Sequence, residues 1–307
     1  MQKKTLIKKG VIAGYNRGLY SVLIDGKYFQ ARLHPQINFS SKDKLIVGDK
    51  VKIEISPLHN LILEQETRKN FLQRTRRSKN KKKKRQIIAA NIDLAIIVSS
   101  IKNPSFNPLF IDRYLVIITQ ANISPLICLN KIDLNNSDNG NFPSILNYYE
   151  KEMSIPVIKT STLNGRGIST LQRKIAQKTS VFLGQSGVGK SSLINALEKK
   201  LQIKTSPVNP KTGQGRHTTT NFRLYPIGKK TYIIDTPGIR NLSLNHIEPR
   251  LLELYFTDFQ KYTQQCYYRN CWHQNENGCG VKQTYKEGKI PASRYQSYLK
   301  ILQEIKV

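Results

Sequence analysis

The sequence predicts a multidomain α/β protein, and three observations support that reading. Five short strand-like stretches crowd into the first 67 residues, strand and helix patterns alternate from Gln86 to Asp235, and three cysteines and a histidine gather near the C-terminus. A length of 307 residues gives a prior of two or three domains with a sizeable core. A hydrophobic content of 38% with 8% aromatics fits a globular rather than a disordered chain. No apolar run approaches the ~20 residues that span a bilayer. The first ten residues, MQKKTLIKKG, are basic but lack a following apolar core, so no secretory leader is expected and the expected compartment is the cytoplasm or an equivalent organelle matrix.

Residues 1–67 read as strands throughout. Gly10–Gly14 and Tyr20–Ile24 come first, Asp25-Gly26 is a hairpin turn, and Tyr28–Leu33 returns. Lys50–Ile55 alternates polar and apolar residues with period two, and Leu61–Gln65 closes the set. Five strands in so short a stretch predict a small closed barrel of the oligonucleotide-binding (OB) type, with a generic β-domain as the alternative.

Residues 68–86 form a basic segment. Between Arg68 and Arg85, 11 of 18 residues are Lys or Arg and none is acidic. A block of like charge repels itself, so a disordered arm that orders on a polyanion is expected. The whole chain carries 50 Lys+Arg against 20 Asp+Glu, a formal net charge of +30. Such an excess points to nucleic acid, through release of counterions from phosphates; a general lysine bias is the competing explanation.

Residues 87–243 change period. Ile92–Val98 is a nearly all-apolar strand, Asn107-Pro108 opens a helix carrying Ile111, Tyr114, Leu115 and Ile118, and Pro125–Leu129 is a second buried strand. Cys128 lies within it and reads as a small core residue. A helix near Ile145–Tyr149, a strand Ile155–Ile158, a helix Ile168–Ala176 and a strand Val181–Leu183 follow. The alternation predicts a mostly parallel sheet with helices on both faces.

The stretch Gly184-Gln185-Ser186-Gly187-Val188-Gly189-Lys190-Ser191 fits G-x-x-x-x-G-K-[ST], and with Ser192 it opens a helix carrying Leu193, Ile194 and Leu197. Strand, glycine loop and helix make a phosphate-binding loop, in which backbone N–H groups and the helix N-terminus cradle a polyphosphate. Lys190 is expected on the β- and γ-phosphates and Ser191 on Mg²⁺. Asn130-Lys131-Ile132-Asp133, at the end of the strand at 125–129, fits N-K-x-D. The Asp133 carboxylate can accept from guanine N1–H and its 2-amino group, which adenine lacks; Asn130 braces the loop and the Lys131 stem covers the base. Ser161 falls where such proteins place a second base-contacting loop. In the polar stretch Pro210–Asn221, Thr219 is the candidate to ligate Mg²⁺ and sense the γ-phosphate. Tyr232–Ile234 delivers Asp235-Thr236-Pro237-Gly238, with Asp235 on Mg²⁺ through water and the Gly238 N–H on the γ-phosphate. The position after Gly238, where GTPases often carry a water-orienting Gln, is Ile239. His217 is the tentative substitute, with a structural or RNA-contacting role equally open.

These motifs come in an unusual order, with the base reader at 130 before the phosphate loop at 184. A circular permutation of a GTPase explains it. It also runs the γ-phosphate sensor at 235–238 straight into the C-terminal region, where release of the loop could move the domain that follows.

In residues 244–307, Cys266-x₄-Cys271-x-His273-x₅-Cys279 places three thiols and an imidazole within 14 residues, a donor set suited to one tetrahedral structural Zn²⁺. Tyr267, Tyr268, Arg269 and Trp272 suit RNA stacking or packing on the following helix, Arg294–Ile305, whose expected apolar face is Tyr298, Leu299, Leu302 and Ile305.

Barrel, permuted GTPase motifs and the Cys/His cluster together resemble the RsgA (YjeQ) family of small-ribosomal-subunit biogenesis GTPases, over nearly the whole chain. The spacing of the cluster agrees with that family's zinc domain. The resemblance implies GTP and GDP as ligands, small-subunit rRNA as partner, hydrolysis stimulated by the subunit, and a monomer without membrane contact. The rivals are an RNA-binding scaffold with a static nucleotide and a GTPase acting on another RNA such as tRNA.

Overall fold

The computed structural model describes residues 5–37, 44–77, 83–135, 143–201, 222–235, 244 and 246–306. Five strands, β1 (Leu6–Asn16), β2 (Leu19–Ile24), β3 (Lys27–Leu33), β4 (Lys50–Ile55) and β5 (Asn60–Gln65), close into a barrel in the order β1-β2-β3-β5-β4. Closure comes from a short parallel pairing of β3 with β5 and an antiparallel pairing of β1 with β4. The interior is filled by Ile12, Val22, Ile24, Val51, Ile53 and Ile62. Asp25 and Gly26 both have positive φ (49° and 80°), the conformation a two-residue hairpin turn demands.

The basic segment departs from expectation. β6 (Phe71–Arg77) and β7 (Lys83–Ala90) pair antiparallel along their length, Phe71 opposite Ala90 and Arg77 opposite Lys83, where a disordered arm was expected. Like charges opposite one another oppose this pairing. The ribbon's foot outweighs them, because Leu72, Ile88, Ala89 and Ala90 are buried there, and the ladder continues past a register shift between Leu72 and Gln73. Its root is tied to the barrel: buried Asp49 accepts from Arg68 at 2.7 and 2.9 Å, and Asn91 donates to the Gly48 carbonyl.

Next come β8 (Leu94–Ser100), α1 (Pro108–Gln120), β9 (Ser124–Asn130), α2 (Ile145–Lys151), β10 (Val157–Lys159), α3 (Ile168–Ile175), β11 (Thr179–Leu183), α4 (Lys190–Leu197), β12 (Arg223–Gly228) and β13 (Thr231–Asp235). They build a six-stranded sheet in the order β10-β9-β8-β11-β13-β12, parallel except for the edge strand β12. β8 shows why its run is continuously apolar: Ala95 and Ile97 enter one core, Leu94, Ile96 and Val98 the other. Asn107 caps α1 by accepting from the Leu109 N–H at 3.0 Å, with Pro108 in the first turn.

The C-terminal region contains short helices α5 (Leu252–Tyr255), α6 (Gln260–Thr263) and α7 (Gly280–Lys286), then α8 (Ala292–Lys306), which packs on α1. The buried face of α8 differs from the expected one: Tyr295, Tyr298, Ile301 and Leu302 are buried, while Leu299 and Ile305 are only half-buried. Arg294 is also fully buried. It pairs with Asp112 of α1 at 2.7 Å and with Asp258 at 2.7 and 3.1 Å, while Tyr149 and Tyr148 donate to the same two carboxylates. Burial pushes the Asp112 carboxyl up, and the adjoining guanidinium opposes that rise. Among the described residues, no helix is long and apolar enough to cross a membrane.

Candidate functional site

From β8 the strand order steps outward to β9 and β10, then returns to β11 on β8's other side. Such a reversal opens a crevice at the carboxyl ends of the strands. The loop after β11 lies there. Gly184, Gly187 and Gly189 have φ of 145°, 84° and 94°. A Cβ on Gly184 would lie 2.3 Å from the Val98 carbonyl oxygen, and one on Gly189 would lie 2.3 Å from the Asn130 amide nitrogen. Both glycines are therefore demanded by close approach as well as by backbone conformation. α4 starts at Lys190, with Ser191 and Ser192 half-buried in its first turn. Lys190 Nζ donates to the carbonyls of Gly184 and Gln185, both at 2.7 Å, so its ammonium is folded across the loop.

β9 delivers the Asn130-Lys131-Ile132-Asp133 motif to the same crevice. Asn130 is fully buried; its Nδ2 donates to the Val188 carbonyl at 2.9 Å and its Oδ1 accepts from Thr160 Oγ1 at 3.1 Å. One side chain thus joins two motifs 58 residues apart. Ser161 Oγ donates to Asp133 Oδ1 and accepts from the Leu163 N–H at 3.2 Å, which orients the carboxylate. Lys131 adopts a left-handed conformation (φ 59°) and donates to the Asn103 carbonyl; burial lowers its ammonium pKa and nearby Asp133 opposes this. Ile132 is buried beneath the loop. Asp235 ends β13, beside β11, and is buried. Cys128 is a core residue as expected, its thiol pushed up to about 12 by burial.

One contributor was expected only as part of the base-contacting loop Thr160-Ser161-Thr162, and another was not expected at the site at all. Thr160 orients the Asn130 amide, and Tyr114 of α1 reaches the Gly184 backbone, its hydroxyl pushed up to about 12 by burial. Tyr114 was legible only as one residue of an apolar helix face. His217, Thr219, Gly238 and Ile239 lie outside the described residues, as does the segment through which the sensor loop was expected to move the C-terminal region.

The second cluster is local. The donor atoms of Cys266, Cys271, His273 and Cys279 all lie within 4.8 Å of one another. His273 Nδ1 is 3.6 Å from Cys266 Sγ and 3.4 Å from Cys279 Sγ, and the two sulfurs are 3.9 Å apart. Ligands on one tetrahedral zinc sit roughly 3.5–3.8 Å apart, so the donor set suits that ion and the separations among Cys266, His273 and Cys279 come close to it, while the widest pair of the four would have to draw in from 4.8 Å. The other ring nitrogen, Nε2, lies 2.8 Å from Glu253 of α5, a carboxylate–histidine pairing that fixes the ring's orientation. Nothing in the spacing of the motif points to Glu253. Burial works to raise the Cys279 thiol, but His273 and the Lys282 N–H outweigh it and bring it down to about 7. Backbone N–H groups also face Cys271 and Cys279 at 3.4 Å.

A sequence model described as RsgA GTPase matches residues 65–245. A protein named small ribosomal subunit biogenesis GTPase RsgA from a Geobacillus species is 37% identical over 292 residues, covering 94% of each chain. One of the same name from Bacteroides fragilis is 33% identical over 301 residues, covering 96% of each. Among solved structures, YjeQ from Thermotoga maritima superposes with a TM-score of 0.78 at 29% identity, covering 98% of this chain and 99% of that one. YloQ, described as a circularly permuted GTPase, does so with a TM-score of 0.73 at 29% identity, covering 98% and 96%. The matched length, the reversed motif order and the shared architecture agree: this chain belongs to the RsgA GTPase family.

Proposed function

We propose that this chain hydrolyses GTP while docked on the small ribosomal subunit, assists its late maturation, and leaves after a hydrolysis step that the subunit accelerates. The observation that carries the nucleotide part is the 2.9 Å bond from Asn130 to the Val188 carbonyl. It ties base reader and phosphate loop into one crevice, as a single guanosine triphosphate requires. Asp133, oriented by Ser161, accepts from the guanine edge; a buried acceptor left unpaired by adenine costs about 1–3 kcal/mol. Lys190 exchanges its two carbonyl partners for the β- and γ-phosphates, and the N–H groups of residues 184–192 surround them.

Ser191, Asp235 and Thr219 are the groups that would hold Mg²⁺, which would neutralise the charge developing on the β- and γ-phosphates. Gly238 is assigned to the γ-phosphate and His217 to the attacking water, which adds at the γ-phosphorus as the β–γ oxygen leaves with GDP. Cys266, Cys271, His273 and Cys279 are assigned to one structural Zn²⁺, with no position remaining for a catalytic water. The net charge of +30 supports rRNA as the surface contacted, and the working form on this reading is a cytoplasmic monomer.

Phosphate release measured with and without purified small subunits tests the reading, with ATP as control. Subunit-dependent acceleration with GTP alone is expected. No release under any condition would indicate a scaffold with a static nucleotide, and acceleration by tRNA instead of subunits would redirect the assignment.

A further inference from the structure

The loop between the first two cysteines of the metal cluster carries two tyrosines that the cluster does not use. Tyr267 is 80% exposed and Tyr268 48% exposed, with ring centroids 4.9 Å apart in an edge-to-face arrangement. Burying an aromatic ring is ordinarily favourable, so a pair left in solvent marks a contact surface. The backbone beneath is held firmly: the Tyr267 N–H donates to the Gly278 carbonyl at 2.9 Å, and the Cys271 N–H donates to the Tyr268 carbonyl at 3.3 Å. Gly278 has φ of 67°, and a Cβ there would press on Tyr267 Cβ at 3.0 Å.

The charges around this loop are sorted by sign. Arg269 is exposed beside the tyrosines. Exposed Arg250 donates to the Asn270 carbonyl at 3.0 Å and stacks 3.7 Å over Trp272, and exposed Lys306 also lies 3.7 Å over that ring. The nearby carboxylates turn inward: Glu253 meets His273, and Glu276 accepts from the Trp272 and Gln274 N–H groups. The outward face is therefore aromatic and cationic.

We propose that Tyr267 and Tyr268 form a stacking platform for unpaired RNA bases, with Arg250, Arg269 and Lys306 meeting the adjoining phosphates. Aromatic rings flanked by cations fit single strands, whose bases can be splayed onto a π-face, better than a duplex, whose bases are already stacked. The inference rests on the small-subunit reading above and adds to it the element of RNA recognised and the side chains that recognise it.

The test uses the full chain and purified small subunits with a non-hydrolysable GTP analogue. Tyr267→Ser, at the most exposed ring, and the pair Tyr267→Ala with Tyr268→Ala are compared with the pair Tyr267→Phe and Tyr268→Phe. The platform predicts that affinity falls about tenfold or more for the alanine pair and severalfold for Tyr267→Ser, while the phenylalanine pair stays within about twofold of the parent. The dependence of affinity on salt should be unchanged by the tyrosine variants and shallower by about one ion for Arg269→Ala. A photo-crosslinking residue in place of Tyr268 should label RNA; labelling of a ribosomal protein instead would overturn the proposal. Parent-like binding by the alanine pair and by Tyr267→Ser would also overturn it, whereas a parent that fails to bind subunits at all would overturn the small-subunit reading itself.

Discussion

The nucleotide crevice and the Cys/His cluster solve opposite problems. The crevice is assembled from the ends of distant strands: Asn130 reaches Val188 across 58 residues and Thr160 across 30. Its polar groups already hold one another in place, and its lysine rests on the Gly184 and Gln185 carbonyls. The cluster draws its four donors from 14 consecutive residues, and its carboxylate support, Glu253, comes from a short helix upstream. The fold creates the first site, while on the proposed reading a metal held by the second helps to create the fold around it. Damage to the cluster should therefore appear as lost stability, and damage to the crevice as lost binding by a folded chain.

That contrast can be broken at several points, beginning with the largest expected effect. Cys279→Ser, or treatment with a strong chelator, should release the metal and melt the C-terminal region, because binding energy of this kind is folding energy. Calorimetry together with metal analysis checks it; unchanged melting after complete metal loss would refute the structural role. Arg294→Met should cost about 3–5 kcal/mol in a denaturant titration, since it strands the buried carboxylates Asp112 and Asp258. Asn130→Ala leaves the Val188 carbonyl and Thr160 without their partner, a loss of about 1–3 kcal/mol, or roughly 5- to 150-fold in nucleotide affinity. Equilibrium binding of a fluorescent GDP measures the affinity, and the melting temperature should fall modestly as well, because both bonds are already made in the free chain. The smallest effect is expected for Glu253→Gln, with metal affinity about 10- to 100-fold weaker in a chelator competition and little change in nucleotide binding.

What was legible in the sequence follows a physical rule. The phosphate-loop glycines, the Asn107 cap and the Asp25-Gly26 turn answer local steric demands, so they are visible in a few consecutive residues. The cluster's donor types are equally local. Arg294 gave no such signal: its partners lie 36 and 182 residues away, and no spacing encodes them. It was read as the first residue of a helix and proved to be that helix's buried anchor. The basic ribbon was misjudged because charge dominates the sequence of Arg68–Arg85, whereas pairing is decided by the apolar foot that Leu72 and Ile88 supply. β12 was missed because it is an edge strand containing Pro226, a residue that edges tolerate and central strands do not.

The most direct measurement is a crystal structure of the chain with a non-hydrolysable GTP analogue. The account predicts one nucleotide, its guanine edge on Asp133 and its β- and γ-phosphates on Lys190, with the Asn130 amide still on the Val188 carbonyl. A nucleotide that touches only one of Asp133 and Lys190, or two ligands in separate cavities, would contradict it.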